Sequence, residues 1–186
     1  MIASEARTRL EDAERLLSPG VARERALAEL DELFRTGAAP EPPPAGFLTG
    51  RALASTIWGP LDALGRRLAS VYMPWLGKSF ATGKGVNVLT KAGVAPMKLI
   101  WPSYTPVREY GDRVEAFRFT TRLAPGALDA QTTVLKIDYA LDENPAFIIR
   151  RVLDELVKLD DGLYLGKVLY RMSGRFRRIG FFTLEP

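Results

Sequence analysis

Two lysines stand where a buried strand has little use for charge. Each follows a glycine inside an apolar run, Leu76-Gly77-Lys78 and Leu165-Gly166-Lys167. Glycine within a strand marks a bulge or the close approach of another group. By alternation Lys167 shares a face with Leu163, Leu165 and Leu169. An ammonium group on a buried face needs a carboxylate, or the acidic head of a ligand, to offset its removal from water. Lys78 and Lys167 are therefore the candidates for orienting the polar head of a ligand. Lys167 is expected at or near the polar end of an enclosed interior. Asp138 is a candidate partner, although it shares the face of Val134 and Lys136, opposite Leu135, Ile137 and Tyr139. The plainer reading places Asp138 outward in solvent and lets the lysines snorkel along apolar surface.

Composition removes many other chemistries. Among 186 residues there is no histidine and no cysteine. Serine–histidine and cysteine–histidine nucleophiles are excluded, and so are the usual ligand sets of zinc, copper and non-haem iron. No metal and no cofactor is expected. Gly77-Lys78-Ser79 and Gly83-Lys84-Gly85 resemble the tail of a phosphate loop but lack its upstream glycine and its strand-to-helix setting. The absence of thiols suits a reducing, cytoplasmic location. The first residues carry charges of both signs, unlike a secretory signal. The net charge of +4 favours anionic partners. Arg171, Arg175, Arg177 and Arg178 gather around the last turn and could meet an anionic membrane surface. Stacking aromatics at defined spacing are not evident beside them, so nucleic acid is not an expected partner.

The elements that must position these residues change character along the chain. Residues 1–37 read as a helical hairpin, with Leu10, Ala13, Leu16 and Leu17 on one stripe and Leu27, Leu30, Leu33 and Phe34 on the other. Residues 38–45 form a proline-rich linker. Residues 46–186 form the body, with a helix inserted near 60–73 that starts at Pro60 and stops at Pro74. Beyond Pro74 the period becomes that of strands. Short runs are predicted at 76–81, 86–91, 97–101, 105–110, 113–122, 132–139, 152–159, 163–171 and 176–184. Gly111-Asp112, Asp160-Asp161-Gly162 and Ser173-Gly174 supply turns. The fold class is thus α+β, mainly β: an antiparallel β-barrel preceded by N-terminal helices. Of the aromatic residues, Trp75, Trp101, Phe117, Phe119, Tyr139 and Tyr164 are candidates for a cavity wall.

Spaced residues carry a family resemblance. Gly46-x-Leu48-x-Gly50 resembles the Gly-x-Trp-x-Gly opening of a group of uncharacterised bacterial calycin-like proteins, with leucine in place of tryptophan. Trp75-x-Gly77-Lys78-x-Phe80 resembles that group's next strand. Asp138-Tyr139, Asn144-Pro145, Leu165-Gly166-Lys167 and Phe181-Phe182-x-Leu184 resemble its closing half. The resemblance implies a calycin-like barrel, the architecture of lipocalins and fatty-acid-binding proteins. On that reading the chain is a non-enzymatic carrier of an apolar small molecule such as a fatty acid or isoprenoid. The alternatives are a cofactor-free cyclase or isomerase that shapes its substrate in the barrel, and a peripheral membrane or protein-interaction module.

Overall fold

The computed structural model describes residues 2–17, 22–55 and 75–186. The inserted helix expected near 60–73 lies outside them. Two helices open the chain, α1 (Ile2–Leu16) and α2 (Arg23–Thr36). Their stripes pack together, burying Leu10 and Ala13 of α1 with Leu30, Leu33 and Phe34 of α2. None of the described helices is long and apolar enough to cross a membrane.

Nine strands follow among the described residues. They are β1 (Gly46–Ser55), β2 (Trp75–Ala81), β3 (Lys84–Thr90), β4 (Arg108–Tyr110), β5 (Arg113–Pro125), β6 (Thr133–Asp138), β7 (Val152–Asp160), β8 (Leu163–Met172) and β9 (Arg175–Glu185). All pair antiparallel, in the order β3-β2-β1-β9-β8-β7-β6-β5. A further β3–β5 ladder, Lys84↔Thr120 through Thr90↔Arg113, closes the sheet into an eight-stranded barrel. Closure leaves no open sheet edge around the ring. The short β4 pairs with the start of β5 on the side away from β3.

One predicted strand is a helix. Residues 97–100 belong to α3 (Val94–Ile100), which Trp101 caps and which follows a single 3-10 turn at Lys91–Gly93. Pro96 sits in its first turn, where no backbone donor is needed. The buried residues Met97 and Trp101 are four apart, a helical spacing, while Leu99 points to solvent. The run expected at 105–110 shortens to the exposed β4.

Along β6 to β9 the barrel wall is buried on both sides. Its inner face carries Leu48, Phe80, Leu89, Phe119, Leu135, Ile137, Tyr139, Leu156, Phe182 and Leu184. Its outer face carries Val134, Val157, Leu163, Leu165 and Phe181, which pack under α1 and α2. Charge is buried on the outer face too. Glu155 is fully buried there; its Oε1 accepts the Ala127 N–H at 2.7 Å and lies 3.8 Å from Lys136 Nζ, while Oε2 has no hydrogen-bond partner. Burial pushes this carboxyl above the ordinary glutamate range, against the pull of the Ala127 N–H, Lys136 and Lys167. The folded state therefore holds the proton more tightly than the unfolded chain. Stability should fall as pH rises from the unfolded glutamate range through the raised folded value. Melting the parent and Glu155→Gln across that window should show the downward slope in the parent and a flatter one in the variant. Equal slopes would remove Glu155 as the cause.

Candidate functional site

The interior contains an ion pair. Lys78 of β2 and Asp154 of β7 are 2% and 4% exposed, and Lys78 Nζ lies 2.8 Å from Asp154 Oδ2. Two bulges and one close approach put the groups around them in place. Between Trp75 and Gly77 the β2–β3 register shifts, so Trp75 and Lys78, three residues apart, both face inward. The shift requires glycine: Gly77 has φ +147, and a Cβ there would stand 2.0 Å from the Leu48 carbonyl oxygen of β1. The second bulge lies in the β3–β5 ladder, where Phe117 is the extra residue and has a positive φ of 53. It turns the Phe117 carbonyl toward Asn87 of β3, and its N–H donates to Tyr104 Oη at 2.6 Å. On β8, Gly166 leaves room for the Phe182 ring, which a Cβ would meet at 2.1 Å.

The hydrogen bonds of the cluster close almost completely. The three Lys78 protons are directed to Asn87 Oδ1 at 2.9 Å, to Asp154 Oδ2 and to Tyr139 Oη. Asn87 Oδ1 also accepts from Trp75 Nε1 at 3.1 Å. Asn87 Nδ2 donates to Tyr139 Oη at 3.0 Å and to the Phe117 carbonyl at 3.3 Å. The Tyr139 hydroxyl donates to Asp154 Oδ2 at 3.0 Å. Asp154 Oδ1 is left buried without a partner.

Around this core stand four rings. Lys78 Nζ is 5.4 Å from the ring centre of Trp75, 5.5 Å from Phe119, 5.1 Å from Tyr139 and 5.2 Å from Phe182. Their faces attract the cation, and their bulk keeps water away. Burial lowers the Lys78 pKa below that of an ordinary lysine, although Asp154 pulls it up. Burial also pushes the Tyr139 hydroxyl well above the usual tyrosine value, and the Asp154 charge adds to that shift. Burial thus disfavours the charged form of both groups, the ammonium of Lys78 and the phenolate of Tyr139.

Most of the candidates named from the sequence face this interior. Lys78, Trp75, Trp101, Phe117, Phe119 and Tyr139 belong to or pack against the inner core, and Tyr164 packs against it half-buried. Asp138 does not. It is half-exposed on the outer face, 3.9 Å from Arg122, and accepts the Ala140 N–H. Lys167 is buried but lies on the outer face of the wall rather than in the interior or at its rim. It is 1% exposed, 2.6 Å from Asp129 Oδ2, 2.9 Å from Asp31 Oδ1 of α2 and 4.2 Å from the ring centre of Phe34. The expected carboxylates meet it, and the protein itself supplies them. Lys167 shares the face of Leu163 and Leu165, and the helices cover that face. Arg171, Arg175 and Arg177 are exposed at the β8–β9 turn, whereas Arg178 lies 3.4 Å from Asp31 and faces the helices.

Sequence reasoning missed Asp154 and Asn87. Asp154 stands in register with Val152 and Leu156 on β7, the same signal that singled out Lys167. Asn87 interrupts the apolar run Val86-Asn87-Val88-Leu89. Among the described residues no group of three carboxylates converges as a metal site would.

A cleft of about 690 Å³ lies at the end of the barrel where β3 and β6 finish. Trp101, Tyr104, Asn144 and Phe147 help to line it. The Trp101 and Tyr104 rings lie 5.4 and 5.1 Å from that of Phe117, whose carbonyl holds Asn87. The cleft is therefore linked to the Lys78 cluster through Phe117 and Asn87. Asn144 Oδ1, also at the cleft, is buried without a partner.

No protein-family model matches the chain, and no curated protein matches it. Among solved structures, a protein from Thermomonospora curvata aligns over 94% of this chain and 97% of its own, with 19% identity and a TM-score of 0.46.

Proposed function

We propose that the barrel binds a small apolar molecule through a neutral, hydrogen-bonding head placed at the Lys78–Asp154 pair. The buried pair itself carries the reading. Removing a lysine and an aspartate from water costs more than their attraction usually returns, and apolar side chains of the same volume generally serve stability as well or better. A perturbed, charged cluster in an aromatic interior is the kind of feature that marks a functional site. The calycin-like resemblance in the motifs supports the same reading, since barrels of that type hold apolar ligands.

The geometry favours a neutral head over the fatty-acid carboxylate considered from sequence. Asp154 already balances Lys78, so an anionic ligand would place a second negative charge beside Asp154 in a poorly solvated space. The unpartnered Asp154 Oδ1 suits a hydroxyl donor. Access runs through the cleft and requires the Trp101 and Tyr104 rings to move aside from Phe117. A cofactor-free isomerase or cyclase would draw on the same groups, with Lys78 and Tyr139 moving protons.

Displacement of Nile red tests the reading. Farnesol should displace the dye from the parent protein, and palmitate at neutral pH should be much the poorer competitor. The double variant Lys78→Met/Asp154→Leu should lose the preference for the alcohol. Equal competition by both lipids, or none by either, would overturn the assignment.

A further inference from the structure

We propose that Lys78 captures an apolar aldehyde as a covalent imine inside the barrel, with Asp154 as counter-ion and Tyr139 as proton relay. The inference rests on the binding reading above and names the ligand head: a carbonyl that reacts. An amine attacks a carbonyl only when unprotonated, and desolvation is one way proteins activate lysine for this chemistry. Lys78 is buried, its pKa is lowered by that burial, and a carboxylate oxygen 2.8 Å away can receive its proton. Tyr139 Oη touches Lys78 Nζ and lies 3.0 Å from the same oxygen, Asp154 Oδ2. It can pass a proton between them without moving. The four rings around Nζ exclude the water that would hydrolyse the product.

The step balances without a co-reactant. Lys78 gives one proton to Asp154, and the Nζ lone pair then bonds to the carbonyl carbon while the carbonyl π pair moves to oxygen. That oxygen takes a proton from the new ammonium through Tyr139. The resulting carbinolamine takes the proton held by Asp154 and loses its oxygen as water. A protonated imine remains, paired with the Asp154 carboxylate. The aldehyde and the lysine ammonium have become an iminium and one water, with charge unchanged. Asp154 Oδ1, buried without a partner, is an acceptor available to the departing water.

The full-length protein is treated at neutral pH with octanal and sodium cyanoborohydride, and the alkylated lysine is located by peptide mass mapping. In parallel, octan-1-ol is tested for displacement of Nile red. Octyl transfer to Lys78 ahead of the exposed Lys84 and Lys91 is the expected result. Lys78→Arg, which keeps the cation but forms no imine, should show only the surface labelling. Asp154→Asn, at a temperature where its melt shows it folded, removes the group that receives and returns the proton, so labelling at Lys78 should slow although loss of the carboxylate favours the free amine, with Lys84 and Lys91 unchanged. If octan-1-ol displaces the dye while Lys78 stays unmodified and the surface lysines react, the imine is refuted and the binding reading stands. If the alcohol fails to displace the dye and Lys78 stays unmodified, both fall together.

Discussion

Replacing Asp154 by asparagine is expected to cost about 3–5 kcal/mol of folding stability near pH 7. The change leaves the shape of the side chain and removes the charge 2.8 Å from Lys78 Nζ. Lys78 is then a buried cation facing only neutral groups: the substituted amide, Asn87 and the four rings, Tyr139 among them. Its pKa is already lowered by burial, so the deficit should shrink as pH rises and the amine sheds its proton. The sign follows from linkage: a folded-state amine with a lowered pKa binds fewer protons than the unfolded chain, so stability rises with pH between the two values. The double variant Lys78→Met/Asp154→Leu removes both charges at once and should recover most of the loss. Urea unfolding of the three proteins across pH measures this. A double variant as unstable as Asp154→Asn would mean that the pair holds the barrel together, and would weaken the argument that it is kept for a ligand.

Gly77→Ala should lower stability by about 4 kcal/mol or more, or prevent folding. The added Cβ would stand 2.0 Å from the Leu48 carbonyl oxygen and 2.8 Å from the Gly50 nitrogen, both backbone atoms of β1. Neither can yield without moving the strand. The φ of +147 adds strain for any residue with a side chain. Gly83→Ala is the comparison. It has φ +71 and nothing within 4 Å of its Cβ, so it should cost only the roughly 1–2 kcal/mol of a left-handed turn. Thermal or urea melts of the two variants separate the cases, and similar losses would show that the approach of β1 to Gly77 is not what sets the bulge.

Local chemistry was legible in the chain because it acts over a few residues. The strands from Trp75 onward, the turns at Gly111-Asp112, Asp160-Asp161-Gly162 and Ser173-Gly174, and the stripes of α1 and α2 each depend on neighbours in sequence. They appear where the residues put them. The run at 97–100 is helix and not strand for a local reason as well, since a short apolar stretch fits a buried helix as readily as a strand. The glycine before each lysine announced a close approach, and the structure supplies one at both: the Leu48 carbonyl at Gly77 and the Phe182 ring at Gly166.

Only the tertiary structure decided which lysine faces inward. Alternation tells which residues share a face of a strand; it does not say which face turns toward the axis. On β8 both faces are buried, the inner against the barrel core and the outer against α1 and α2. Burial of Leu163 and Leu165 therefore could not place Lys167 inside. The ion pair was hidden for a related reason. Lys78 and Asp154 lie 76 residues apart on strands that do not pair with each other. They meet only because the β3–β5 ladder closes the ring, and the bulges at Gly77 and Phe117 turn Trp75 and the Phe117 carbonyl toward the Asn87 side chain that braces Lys78.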